Sequence, residues 1–239
     1  MHEFSVVLKK QLLAAGASLV GIGGLAEMPP EHVGEMRCGV SIAVAVSPSV
    51  IGQNSLGPTA QFYAEYKSIM DRKLPALGTL CGRLLCEQGY QAVVLPTSGG
   101  GDPDTLRTPI SHKMVATRGG LGWIGKNGLL ITEAYGAAIM LISVLTDAPL
   151  TQETAIDESA CGDCRACVLA CPGKALSGKK WCIGVDRNAL LDPHRARKTA
   201  RQRALDQLHV QETVCGICIA VCPRTKAYVH RADSAVEIG

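Results

Sequence analysis

Phe4, Val7, Leu8, Leu12 and Ala15 recur at helical spacing, so the chain opens with a predicted amphipathic helix that Gly16 ends. Residues 18–22 then read as a short buried strand. Residues 39–47 read as a clearer one, because Val40, Ile42, Val44 and Val46 alternate with small residues. Pro48 ends that strand, and a Gly-, Ser- and Asn-rich loop is expected after it. Thr59 is placed to cap a helix carrying Phe62, Tyr66, Ile69 and Met70, which Pro75 should break or kink before a further helix over 76–87. A strand over 91–95, a Gly- and Pro-rich loop over 96–109, a helix over 110–118 and strands over 129–132 and 138–145 complete the pattern. Strands and helices alternate, which predicts an α/β or α+β layered domain over residues 1–150. Residues 151–239 should form a smaller, loop-rich domain with one basic helix over about 187–208.

Composition adds limits to this outline. A chain of 239 residues is long enough to bury a core and still carry a small module. With 47% hydrophobic and 19% charged residues it is globular in composition. A net charge of +3 does not by itself announce nucleic acid. The longest apolar run, 137–145, is far short of the roughly 20 residues that span a bilayer. Lys9-Lys10 before an apolar stretch is weighed as a secretion signal and set aside for the helix, so a soluble, cytoplasmic protein is expected.

The chemistry lies in the cysteines, of which there are eleven. Cys161-x2-Cys164-x2-Cys167-x3-Cys171-Pro172 is answered downstream by Cys215-x2-Cys218-x3-Cys222-Pro223. An iron-sulfur cubane needs soft thiolates converging on one point. Two-residue spacers let a loop wrap three corners, and the fourth Cys of such a run crosses to the neighbouring cluster. Glu212 stands where the second run would begin, which leaves one thiolate missing, and Cys182 in Trp181-Cys182-Ile183 is the replacement. One cluster is therefore assigned to Cys161, Cys164, Cys167 and Cys222, and the other to Cys171, Cys182, Cys215 and Cys218. The alternatives are zinc, which normally uses paired short knuckles, and disulfides, which an odd count and Cys-Pro runs fit poorly. Thiolate-rich sites also suit a reducing compartment. Cys38, Cys81 and Cys86 lack ligand spacing and read as small buried apolar residues.

The stretch Gly119-Gly120-Leu121-Gly122-Trp123-Ile124-Gly125-Lys126-Asn127-Gly128 is no phosphate loop, since Asn127 follows Gly-Lys and a helix precedes the glycines. Its glycines would let a large flat ligand or a cluster-bearing loop approach, or simply form a tight turn around Trp123. His112 is either a ligand or proton donor or a satisfied polar residue. The basic helix is either a solvated face or a surface for phosphates or an acidic electron-transfer partner.

Taken in order, Phe62-Tyr63-Ala64-Glu65-Tyr66, Gly120 to Asn127, Thr146-Asp147-Ala148-Pro149-Leu150, the first Cys-Pro run, Trp181-Cys182-Ile183 and the second run resemble epoxyqueuosine reductases. The resemblance implies a nitroreductase-like α/β core with a C-terminal ferredoxin-like module, α+β overall. It also implies two [4Fe-4S] clusters beside a cobalamin, as in the related reductive dehalogenases. Gly122, Trp123, Gly125, Lys126 and Asn127 would then line the corrinoid, and Tyr66, Arg107 and His112 would be the proton-donor candidates. Three departures are visible. No Asp stands in Thr105-Leu106-Arg107-Thr108, where the family has its proton donor; Lys67 replaces a His; and the family's C-terminal helical-repeat domain has no counterpart. The implied activity is reduction of a small or nucleoside-like substrate with electrons from a low-potential donor such as ferredoxin or flavodoxin, with tRNA not expected as a partner. The alternative is an electron-transfer or reductive-activation protein that serves a partner corrinoid protein without substrate chemistry of its own.

Overall fold

The computed structural model describes residues 2–97 and 101–236, with only the backbone at 235 and 236. Ser98, Gly99 and Gly100 of the expected loop lie outside the described residues. The chain forms two compact units, and both are discontinuous in sequence. One comprises 1–44, 67–122 and 140–156, the other 45–66, 123–139 and 157–239. This division is not a single boundary after residue 150, because two segments that precede it, 45–66 and 123–139, group with the cysteine-bearing residues.

The first unit is built on a four-stranded sheet of order β1-β2-β6-β3, with β1 Leu19–Gly24, β2 Cys38–Ala45, β3 Ala92–Val94 and β6 Ile139–Thr146. β1 runs antiparallel to β2 in the register Leu19↔Ala43, and β3 antiparallel to β6 with Ala92↔Thr146. Ile22, Val40, Ile42, Ile142 and Val144 are buried along it. The first helix, His2–Ala14, contributes Leu8 and Leu12 to the core, and Val7, counted at sequence level on its apolar side, is 42% exposed.

The alternate positions of β1 and β2 are small for a reason. An added Cβ at Gly21 would meet the Gly119 carbonyl oxygen at 2.2 Å, one at Gly23 the Arg118 carbonyl carbon at 2.3 Å, and one at Gly39 the Val115 Cγ1 at 2.6 Å. The helix His112–Arg118 thus lies directly on a face of the sheet without side chains, and a second apolar cluster of Leu25, Met28, Ile110, Val115 and Leu145 closes round it.

Pro75 does not break its helix outright. Ala60–Ser68 continues through a π-helical turn, Ile69–Lys73, into Leu74–Glu87, with the Leu74 N–H bonded to the Ile69 carbonyl. The wide turn rearranges the ladder where Pro75 has no N–H to donate. The loop expected after Pro48 instead holds a short helix, Pro48–Ile51, and a 3-10 turn, Asn54–Leu56.

In the second unit β4 Trp123–Ile124 and β5 Leu130–Ile131 form a hairpin. Short helices Ala166–Ala170 and Ile217–Ala220 carry cysteines of the two runs, and Pro223–Val236 follows the second run. The single basic helix expected over 187–208 is two, Arg187–Leu190 and Pro193–Leu208. Leu191 is extended, Asp192 caps the second helix by accepting from the Arg195 N–H at 2.9 Å, and Pro193 occupies its first turn. An Asp-Pro pair is a start signal inside what looked like one periodic run.

Candidate metal centre

The second unit contains all eight of the assigned cysteines. Every cysteine in the chain is a free thiol. Cys167, on the helix Ala166–Ala170, has its thiol pushed up to about 11, first by burial and then by the neighbouring thiols of Cys161, Cys222 and Cys164. Those three are the partners assigned to it from sequence. Cys218 is pushed up to about 12 by burial and then by Cys215, Cys167 and Cys171. Burial also raises Cys215, which feels Cys171 as well. The Ala175 N–H donates to the Cys171 sulfur at 3.4 Å.

Cys182 stands apart. It is exposed, on a bridge that pairs it with Glu158, and it is not among the thiols felt at Cys215 or Cys218. Cys161, Cys164 and Cys222 thus lie near Cys167, and Cys171, Cys215 and Cys167 near Cys218.

Crowded, buried thiols oppose one another's ionisation, and a bound metal is what stabilises such a set as thiolates. Among the described residues no three His, Cys, Asp or Glu side chains converge tightly enough to hold a single metal ion. All eight assigned donors are thiolates, and their spelling, two short-spaced runs each ending in Cys-x3-Cys-Pro, is that of cubane ligands rather than of the paired short knuckles that hold zinc.

The loop between β4 and β5 serves these cysteines. Lys126, 5% exposed, donates from Nζ to the Gly162 carbonyl at 2.8 Å and to the Cys164 carbonyl at 2.9 Å. Asn127 Nδ2 donates to the Cys218 carbonyl at 3.3 Å, and its Oδ1 accepts from the Leu129 N–H. Adjacent side chains thus hold one cysteine run each. The Trp123 ring carries the Arg224 guanidinium 5.8 Å from its centroid, and its buried Nε1–H has no acceptor among the described residues. Gly125 and Gly128 are required by packing. A Cβ on Gly125 would meet Ile131 Cγ1 at 2.6 Å, and one on Gly128, at φ 72°, would meet Leu191 Cδ2 at 2.2 Å. Of the two approaches considered for this loop from sequence, the side chains of Lys126 and Asn127 are engaged with cluster-bearing loops; Gly122 is buried and belongs to the sheet unit.

Two further residues escaped the sequence reading. Asn54, fully buried, donates to the Cys215 carbonyl at 2.8 Å and accepts from the Thr59 N–H, and Tyr63 donates to Glu212 at 2.9 Å. Phe62 packs against Gly216, where an added Cβ would meet its ring at 3.0 Å. A buried Asn in a segment that looked like loop left no spacing signal.

The three proton-donor candidates are divided between the units. Tyr66 lies with the cysteines, its ring stacked 6.4 Å from that of Phe62, while Arg107 and His112 lie in the sheet unit. Arg107 is exposed on a loop closed by Asp102, which accepts from the Thr105 backbone and hydroxyl and from the Asp104 N–H. His112 Nε2 faces the Pro96 carbonyl at 3.1 Å, so that nitrogen carries the proton, and Nδ1 accepts from Ser143 Oγ at 3.0 Å. Both ring nitrogens are engaged, and burial holds the imidazole below its usual value. Cys81 is a buried thiol pushed up to about 12, and Cys38 is buried, whereas Cys86, expected inside, is exposed. No helix among the described residues is long and apolar enough to cross a membrane.

Residues 160–225 match a 4Fe-4S double cluster binding domain, and all eight assigned cysteines fall within it. The chain is similar to the epoxyqueuosine reductase of Synechococcus sp. (strain RCC307), 31% identical over 174 residues that cover 72% of this chain and 50% of that protein. It thus spans about half the length of the relative it matches. Its fold is shared with an epoxyqueuosine reductase crystallised with an epoxyqueuosine-modified stem loop of tyrosine tRNA, at TM-score 0.63 and 18% identity, over 95% of this chain and 66% of that one. It is shared too with a reductive dehalogenase whose structure suggests a mechanism for B12-dependent dehalogenation, at TM-score 0.67 and 16% identity, over 97% of this chain and 33% of that one. The chain is thus similar to the epoxyqueuosine reductases, with a mixed helix and strand fold and a match to a double-cluster domain. The expectation against tRNA finds no support, since one of these fold neighbours was solved with a tRNA stem loop.

Proposed function

We propose that this chain is an iron-sulfur oxidoreductase that relays electrons through two [4Fe-4S] clusters to a bound corrinoid, for reduction of a small or nucleoside-like substrate. The reading is carried by one observation: residues 160–225, which hold all eight assigned cysteines, match a 4Fe-4S double cluster binding domain. When bound, the clusters supply one-electron transfer and the corrinoid a reducible cobalt centre. The protein's part is positional. Cys161, Cys164, Cys167 and Cys222 would hold one cluster, and Cys171, Cys215 and Cys218, completed by Cys182, the other. Lys126, Asn127 and Asn54 fix the loops that bear them.

Electron delivery fits the helix Pro193–Leu208. Its His194, Arg197, Lys198, Arg201 and Leu205 line a cavity of about 530 Å³, a cationic face suited to an acidic donor of the ferredoxin or flavodoxin kind. The opposite anchoring is to the Cys171 loop: Thr199 Oγ1 stands 2.3 Å from a Cβ built on Gly173, and Arg195 donates to the Lys174 carbonyl. The nitroreductase-like description of the sheet unit belongs to the same reading.

A second reading, electron transfer to a partner corrinoid protein without substrate chemistry, is favoured by the full engagement of His112 and the exposure of Arg107. Anaerobic reconstitution with iron, sulfide and hydroxocobalamin separates the two. The first reading expects about eight iron atoms per chain and stoichiometric retention of a base-off corrinoid. Full iron without corrinoid leaves the second, and a colourless protein with zinc in place of iron overturns both.

A further inference from the structure

We infer that Lys126 is a positioning residue that acts as built-in counter-charge to the cluster held by Cys161, Cys164, Cys167 and Cys222, favouring its reduced state. The inference rests on the two-cluster reading and adds a specific role for one side chain. Lys126 is 5% exposed, and its ammonium meets two carbonyl oxygens, Gly162 and Cys164, with no carboxylate in ion-pair range among the described residues. Lysine is almost never buried without compensating negative charge, since an ammonium taken out of water loses its hydration even after the surroundings relax. Two neutral carbonyls take up two of its three N–H donors and leave its charge uncompensated.

The compensation is available where those carbonyls lead. They belong to the loop that bears Cys161 and Cys164, and a cubane held by four thiolates is a net anion that gains one more negative charge on reduction. A fixed cation beside it therefore stabilises the reduced form more than the oxidised one. Hydrogen bonding and charge around a cluster are the recognised controls on its potential. The geometry makes the effect selective. Lys126 reaches only the first run, whereas its neighbour Asn127, which is neutral, reaches only Cys218 of the second. Arg224, over the Trp123 ring, is 48% exposed and already paired with Glu133 at 2.6 Å, so it is screened, and Arg203 is felt at Cys215 of the other cysteine group.

The test is an electron-paramagnetic-resonance redox titration of the full chain, reconstituted anaerobically, as wild type and as Lys126→Met, Lys126→Gln and Lys126→Arg. At the poise where the affected cluster is half reduced in the wild type, the reduced-to-oxidised ratio should fall about tenfold in the Met and Gln variants, a downward shift of about 59 mV for a one-electron couple. At the other cluster's own midpoint the ratio should change by less than about twofold. Lys126→Arg should restore most of the difference. If Lys126→Met fails to retain iron, Lys126→Gln, which keeps an amide donor for the loop carbonyls, carries the measurement. Iron loss in both neutral variants that Arg repairs supports the role of charge; loss that Arg does not repair counts against it. Unmoved midpoints in neutral variants with full iron overturn the inference while leaving the two-cluster reading intact. A wild-type chain that takes up no iron defeats that reading instead.

Discussion

In the sheet unit the backbone groups of β1, β2, β6 and β3 bond to one another, and Leu8, Leu12, Ile22, Ile42, Cys81 and Leu85 pack into a continuous apolar core. In the cysteine unit the ligand-bearing helices are only four or five residues long, Ala166–Ala170 and Ile217–Ala220, and much of what orders them is polar: Lys126, Asn127 and Asn54 bonding to loop carbonyls. Isolated helices of one turn are not stable in water, so these two depend on tertiary anchors. The contrast teaches that the sheet unit is held by its ladder and its buried apolar residues, whereas the cysteine-bearing loops are held by side chains that bond to their carbonyls.

The sharpest break of that contrast is Cys218→Ser. It should remove about half of the iron measured per chain and lower the unfolding temperature of the cysteine unit while leaving the sheet unit's transition in place, read by iron assay and calorimetry. Next is a pair of core truncations. Phe62→Ala, at a residue 2% exposed and packed on Gly216 beside Cys215, should cost about 3–5 kcal/mol and reduce iron loading. Leu85→Ala, fully buried in the sheet unit, should cost about 2–5 kcal/mol in denaturant melts with iron unchanged. Equal iron loss in both would erase the distinction.

The smallest effect concerns pH. Burial lowers the folded value of His112 below the ordinary 6.5, so the unfolded chain binds the proton more readily. Its contribution to stability is full above 6.5 and is lost as pH falls through the lower folded value. A His112→Gln variant should have a flatter stability profile below pH 6.5, measured by denaturant titration at a series of pH values.

Much of this was legible in the residues. The strands of the sheet unit announce themselves through the alternation in β2, and the Cys-x2-Cys spacing with a terminal Cys-Pro names its own chemistry. What was hidden depends on long-range pairing. The π turn at Ile69–Lys73 follows from Pro75 but has no periodic mark of its own. The interleaving of 45–66 and 123–139 with the cysteine half is a matter of which buried side chains meet, such as Asn54 with Cys215. Asn127 gives no local hint that its partner is ninety-one residues away. The Asp192-Pro193 start signal was there to be read and was overridden by the run of basic residues.

The bare face of β1 and β2 has a consequence for any attempt to alter it. At Gly39 the atom in the way is a side chain, Val115 Cγ1, so a methyl introduced there has a natural suppressor in Val115→Ala. At Gly21 and Gly23 the obstruction is the main chain of Gly119 and Arg118, which no replacement can trim. Those two glycines should therefore lack second-site revertants altogether, and drift in this part of the molecule is confined to the one position where the neighbour has something to give up.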